Sequence, residues 1–138
     1  MEFAAYDTIT GKLISINSSS ISFDLTGLQP FGENSALIEL SENSWDYYVD
    51  VSVLPHVVVP KSSYNLNTTA LTLMADGLDE VTISNIPPGT AVIWPDGYES
   101  VIDTGSISFS VDLAGEYAFG FESVAYLDES ITITATEV

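Results

Sequence analysis

Apolar and polar residues alternate with a period of two over most of the chain, the mark of strands with one buried face. Leu13, Ile14 and Ile16 predict a strand near 12–17, and Ile21, Phe23 and Leu25 predict a second. Residues 36–40 give a third. Over 45–51, Trp45, Tyr47, Val49 and Val51 share one face while Asp46, Tyr48 and Asp50 share the other. That pattern predicts a strand with an aromatic inner face and a polar outer one. Turn residues separate these runs at 10–11, 17–20, 26–32 and 42–44.

Residues 55–67 read as a connector, because Pro55 and Pro60 remove ladder donors and 61–65 lack alternation. An internal boundary is expected near 58–67. The second half is more regular, with short strands predicted at 70–75, 81–86, 91–94, 98–102, 107–111, 115–121 and 131–135. Pro95-Asp96-Gly97 is a turn with a mechanism: proline presets φ, aspartate tolerates the next position and glycine takes the positive φ. About seven strands in about 70 residues, with turns every 8–12, is the pattern of a small β-sandwich. No stretch carries a sustained apolar stripe of helical period, so the chain is expected to be all-β. Ser20-Ile-Ser-Phe faintly echoes Ser106-Ile-Ser-Phe, with chance similarity between alternating strands preferred over a duplicated hairpin.

Charge then removes whole classes of function. The 138 residues are 46% apolar and carry 20 Asp and Glu against 2 lysines, a net charge of −18. Both cations are lysines, Lys12 and Lys61, and there is no arginine. Nucleic-acid binding needs clustered cations that displace counterions, so no nucleic acid is expected as a partner. The same sign disfavours anionic membranes and phosphorylated substrates. The acidity itself is open to three readings: a solvated surface, a basic partner, or a salty or cation-rich medium. The absence of cysteine removes disulfides, thiolate metal sites and thiol nucleophiles. The start lacks a basic segment and an apolar run of signal-peptide length, and the apolar stretch at 57–59 is broken by Pro60. No membrane association is expected, and synthesis is expected in a cytoplasm.

Candidate chemistry is sparse. The single histidine, His56, lies between Pro55 and three valines, with no Gly-x-Ser-x-Gly elbow in the chain. A structural histidine is the preferred reading over a nucleophile relay. A glycosidase needs two carboxyls about 5–10 Å apart across a cleft, which a small sandwich rarely offers. No enzyme is expected. Calcium is the one cofactor worth weighing, since Asp76, Asp79 and Glu80 crowd one turn and Asp96, Glu99 and Asp103 border two others. The ordered Asp-x-Asp-x-Asp-Gly loop is absent, so solvated turns are preferred and no cofactor is expected. Trp45, Tyr47, Tyr117, Phe119 and Phe121 fall on inward phases and read as core. Tyr48 is out of phase with them, and Trp94 and Tyr98 flank the Pro-Asp-Gly turn. These three are the candidate surface or partner contacts, against the plainer reading of Trp94 and Tyr98 as a cross-strand pair covering a hairpin.

The run Phe109-Ser-Val-Asp-Leu-Ala-Gly-Glu-Tyr-Ala-Phe resembles the corner of immunoglobulin-like domains where a tyrosine hydroxyl returns to the backbone. Gly115 and Tyr117 match, Phe119 takes the place of the disulfide cysteine, and Asp112 lies one residue too early. Over nearly the whole chain, the order of pieces resembles small structural proteins of tailed bacteriophages. The pieces are Tyr6-Asp-Thr-Ile-Thr-Gly-Lys-Leu, Tyr47-Tyr-Val-Asp, Val81-Thr-Ile-Ser-Asn-Ile-Pro-Pro-Gly-Thr, Asp96-Gly, Leu113-Ala-Gly-Glu-Tyr and Ala125-Tyr-Leu-Asp. The resemblance implies an N-terminal β segment at 1–58 making oligomer or partner contacts, a connector at 59–67, and an immunoglobulin-like β-sandwich at 68–138. It implies a virion protein of the tail or tail tip, a homo-oligomer in contact with other virion proteins. Capsid decoration and carbohydrate binding are the alternatives. Strands within 6–25 and 57–67 are the expected assembly edges, and salt or divalent cations should strengthen assembly between such acidic subunits.

Overall fold

The computed structural model describes residues 1–22, 24, 25 and 32–138, and all regular structure among them is strand. The chain divides into two compact units, Met1–Ser62 and Ser63–Val138.

In the N-terminal unit, β1 (Glu2–Asp7) lies between β2 (Leu13–Ser18) and β3 (Ser35–Leu40), antiparallel to both. A second, two-stranded sheet pairs β4 (Tyr47–Asp50) with β5 (Val57–Pro60). Ala4, Tyr6, Leu13, Leu40 and Val49 form the core of this unit. The β1–β2 turn is built by Asp7, whose Oδ1 accepts the amides of Ile9 and Thr10, and by Gly11. Gly11 is at φ +83°, and its carbonyl accepts the Val49 amide at 2.9 Å. A Cβ there would stand 1.9 Å from the Val49 carbonyl oxygen, so only glycine fits.

In the C-terminal unit a five-stranded sheet has the order β10-β9-β12-β13-β7, with β7 (Thr72–Met74), β9 (Thr90–Ile93), β10 (Glu99–Ile102), β12 (Gly115–Ser123) and β13 (Tyr126–Thr136). Its pairs are antiparallel except for β13 with β7. A three-stranded antiparallel sheet has the order β11-β8-β6, with β6 (Asn67–Thr68), β8 (Val81–Ser84) and β11 (Ser106–Phe109). The inward residues of both sheets meet in one core, including Val81, Ile83, Val92, Ile107, Phe119, Phe121 and Ile133. This is the sandwich-like arrangement that period-two alternation produces when each sheet buries one face. Buried Thr90 is satisfied by donating its hydroxyl to the Pro87 carbonyl at 2.7 Å.

The all-β expectation holds, and several details change. Glu2–Asp7 was not expected as a strand. Ala4, Ala5 and Tyr6 are all buried, so this central strand has no polar face to mark it. Ile21, Ser22, Asp24 and Leu25 lie outside any strand, while Phe23 and residues 26–31 of the turn expected at 26–32 lie outside the described residues. Trp45 is 55% exposed rather than core, because β4 starts two residues later and Asp46 donates its amide to Ser44 Oγ in a preceding turn.

The connector is also more ordered than expected. Val59 and Pro60 belong to β5, an edge strand, where proline is tolerated. Tyr64 is buried and stacked on Tyr126, with ring centroids 4.7 Å apart, and Asn67 begins β6. Strands β6 to β13 make eight in the C-terminal unit rather than about seven.

Candidate functional site

The β9–β10 hairpin closes over Pro95-Asp96-Gly97. Trp94 donates its amide to the Tyr98 carbonyl at 2.7 Å, and Gly97, at φ +89°, donates to the Trp94 carbonyl at 2.8 Å. Asp96 Oδ1 accepts the Tyr98 amide at 2.9 Å, which holds the tip in shape. Trp94 and Tyr98 therefore flank one rigid turn. Trp94 is half-buried, edge-on to Phe119 at 5.7 Å, while Tyr98 is two-thirds exposed.

Beside this hairpin lies a cleft of about 440 Å³ lined by Trp94, Pro95, Asp96, Tyr98, Phe109, Glu116 and Tyr117. It draws on three places in the fold: the hairpin tip, the end of β11 and the start of β12. Phe109 packs on both Tyr117 and Phe119, with ring centroids 5.1 Å apart in each case. The Tyr117 hydroxyl donates to the Leu113 carbonyl at 2.6 Å, and Trp94 Nε1 donates to Ser100 Oγ at 2.9 Å. Two of the cleft's hydrogen-bond donors are thus satisfied within the protein. What it presents outward is aromatic surface and the exposed carboxylates of Asp96 and Glu116.

Of the three candidate contacts, the structure brings Trp94 and Tyr98 together. Tyr48 is elsewhere, half-buried on β4 opposite Val59 in the N-terminal unit. Sequence reasoning did not place Phe109, Glu116 and Tyr117 at the site. Phase marked Tyr117 as core and placed Phe109 on an alternating strand, and both pack on the core. The usable signal was their position at strand ends beside turns, where an inward side chain reaches the mouth of a sandwich.

His56 Nδ1 lies 2.7 Å from the Tyr6 hydroxyl, with the two rings edge to face. Burial pushes the Tyr6 phenol above its ordinary value, and the histidine is its partner within the unit. The acidic turn at 76–80 is held by its own backbone. Asp76 Oδ1 accepts the amides of Leu78 and Asp79, and Asp79 accepts those of Met74 and Glu80. The Asp79 and Leu78 amide bonds hold the Asp76 carboxyl below its ordinary value. Asp103 accepts the Gly89 amide across the next pair of turns. These carboxylates are engaged as turn caps. Among the described residues no group of three or more His, Asp or Glu is arranged to hold a metal ion. No helix among them is long and apolar enough to cross a membrane.

The chain matches no protein-family model, no curated protein and no solved structure.

Proposed function

We propose that the chain is a non-enzymatic structural or adaptor component of a phage particle, associated with the tail or tail tip and working through protein contacts in a multimer. Its C-terminal unit is read as an immunoglobulin-like sandwich. The observation that supports this reading is the strand order of that unit together with the bond from the Tyr117 hydroxyl to the Leu113 carbonyl. Three strands, β11-β8-β6, face five, β10-β9-β12-β13-β7, and the last strand runs parallel to β7. The Tyr117–Leu113 bond forms across the turn where immunoglobulin-like domains carry their tyrosine corner, although Leu113 stands where the pattern has an aspartate.

Support for assembly comes from edges. Among the described residues β2 and β3 border the N-terminal sheet, and β5 pairs on one side only. Open edges next to exposed Ile14 and Val57 are what strand addition uses. Capsid decoration rests on the same features and differs in position within the particle.

Light scattering of the purified chain at low and high salt, with and without calcium, tests the multimer. A discrete ring-sized mass that grows with salt is expected, since screening relieves repulsion between subunits of charge −18. A 14.8 kDa monomer under every condition contradicts self-assembly. The second reading, a carbohydrate-binding module, is favoured by the aromatic cleft at Trp94 and Tyr98. Glycan binding that is lost in Trp94→Ala with the fold intact would establish it.

A further inference from the structure

We propose that the cleft beside the β9–β10 hairpin receives a cationic side chain, an arginine presented by a basic segment of a protein partner. The proposal rests on the reading that the chain works through protein contacts, and it names the chemistry of one such partner.

Three observations point to a cation. The first is the lining: Trp94, Tyr98, Phe109 and Tyr117 offer ring surface, which attracts a cation through the ring quadrupole and suits a planar guanidinium best. The second is charge. Asp96 comes from the hairpin and Glu116 from β12, so two separate elements bring carboxylates to one cleft. Every charged side chain between Ser63 and Val138 is an Asp or a Glu, so no cation of this unit competes for the site. The third is the direction of hydrogen bonding. Trp94 Nε1 is committed to Ser100 and the Tyr117 hydroxyl to Leu113, whereas both carboxylates can only accept. A ligand rich in donors and lacking acceptors fits that inventory, and a guanidinium carries five donors and no acceptor.

A sugar would also stack on the rings and donate to the carboxylates, but with Trp94 Nε1 and the Tyr117 hydroxyl committed, the Tyr98 hydroxyl is the lining side-chain donor left for its oxygens. The volume of about 440 Å³ lies within the range of small-ligand pockets, about 300–1,000 Å³, and accommodates one long side chain. The site is rigid. The turn is pinned by its own backbone bonds, and the Trp94 and Tyr117 rings are fixed by hydrogen bonds and packing. Little ordering is therefore required on binding.

The test is a two-dimensional amide NMR titration of the whole chain at low salt with a capped Gly-Ser-Arg-Ser-Gly peptide and its citrulline counterpart. The chain has two tryptophans, and Trp45 lies in the N-terminal unit, so its indole signal serves as an internal control. Saturable shifts at the Trp94 indole and at 95–98 and 115–117, with Trp45 unmoved, are expected. Citrulline should bind about tenfold more weakly, as should the arginine peptide to Asp96→Asn/Glu116→Gln. That double variant keeps an acceptor at position 96, so the turn survives. Tyr98→Ala, at an exposed position, should lose about threefold to fivefold.

Equal binding of citrulline, or shifts spread over Asp76, Asp128 and Glu129 instead of the cleft, overturns the proposal. So does an oligosaccharide that moves the Trp94 indole where the arginine peptide does not. The mass of the unsubstituted chain in solution separates this proposal from the reading beneath it. A multimer of normal size with no arginine response removes the cation site alone. A monomer that still shifts at Trp94 upholds the site and removes the multimer.

Discussion

The two units use the same alphabet of short strands and reach burial by different routes. In the C-terminal unit two sheets face each other over one continuous core, and large side chains such as Phe119, Phe121 and Ile133 are fully buried. The N-terminal unit is centred on a strand whose buried residues are Ala4, Ala5 and Tyr6, and its core depends on a backbone-to-backbone approach at Gly11. One unit is held by interdigitating volume, the other by closeness and a few directed bonds. The first tolerates change at its surface and fails at its rings. The second is most sensitive where Gly11 meets the Val49 carbonyl.

Two substitutions should break the comparison most strongly, one in each unit. Phe119→Ala removes a fully buried ring that packs on Trp94 and Phe109, and should cost roughly 3–5 kcal/mol. Gly11→Ala drives a Cβ to 1.9 Å from the Val49 carbonyl and strains a positive φ, for a cost of about 3 kcal/mol or more. Amide NMR spectra read each loss by unit. The first variant should disperse poorly in 63–138, the second in 1–62. A Gly11→Ala chain with unchanged stability would show that the approach of the turn to β4 is not what holds the N-terminal unit.

A smaller effect sharpens the picture within the sandwich. Tyr117→Phe deletes the bond to the Leu113 carbonyl and should cost about 1 kcal/mol in thermal unfolding, with the N-terminal unit unaffected. Acid titration should separate the units further. The Ser52 hydroxyl and amide hold Asp50 below the ordinary carboxylate value of 3.8, and the Asp79 and Leu78 amides do the same for Asp76. Stability from such depressed groups is present in full above pH 3.8 and is lost as pH falls through their folded values. Asp76→Asn should flatten that acid limb in the C-terminal unit only, and Asp50→Asn in the N-terminal unit only. The smallest change is expected from Tyr64→Phe. The buried Tyr64 hydroxyl has no hydrogen-bond partner among the described residues, so its removal should be neutral or stabilising by up to about 1 kcal/mol. A clear loss of melting temperature would reveal a partner for that oxygen, such as a buried water.

These contrasts also explain what was legible in the sequence. Strands β8, β9, β11 and β12 bury one face each, so Val81/Ile83, Thr90/Val92 and Phe119/Phe121 alternate with exposed or half-exposed neighbours and announce themselves. Strand β1 is buried on both sides of the chain and looks like no strand at all. Strand β5 was hidden by prolines that an edge tolerates. Trp45 misled because phase says which face a residue shares but not where the strand begins. The cleft was half legible. Trp94 and Tyr98 were marked by their turn, whereas Phe109 and Tyr117 serve core and cleft at once, and phase reports only the first role.

The central claim is that the N-terminal unit completes itself by pairing its open edges in an assembly. Hydrogen exchange on the whole chain, at low and high salt, tests it most directly. The account predicts that amides of β2, β3 and β5 exchange quickly at low salt and gain protection as the multimer forms, while β12 and β13 are protected in both conditions. Full protection of β2, β3 and β5 in a monomer, unchanged by salt, would contradict it.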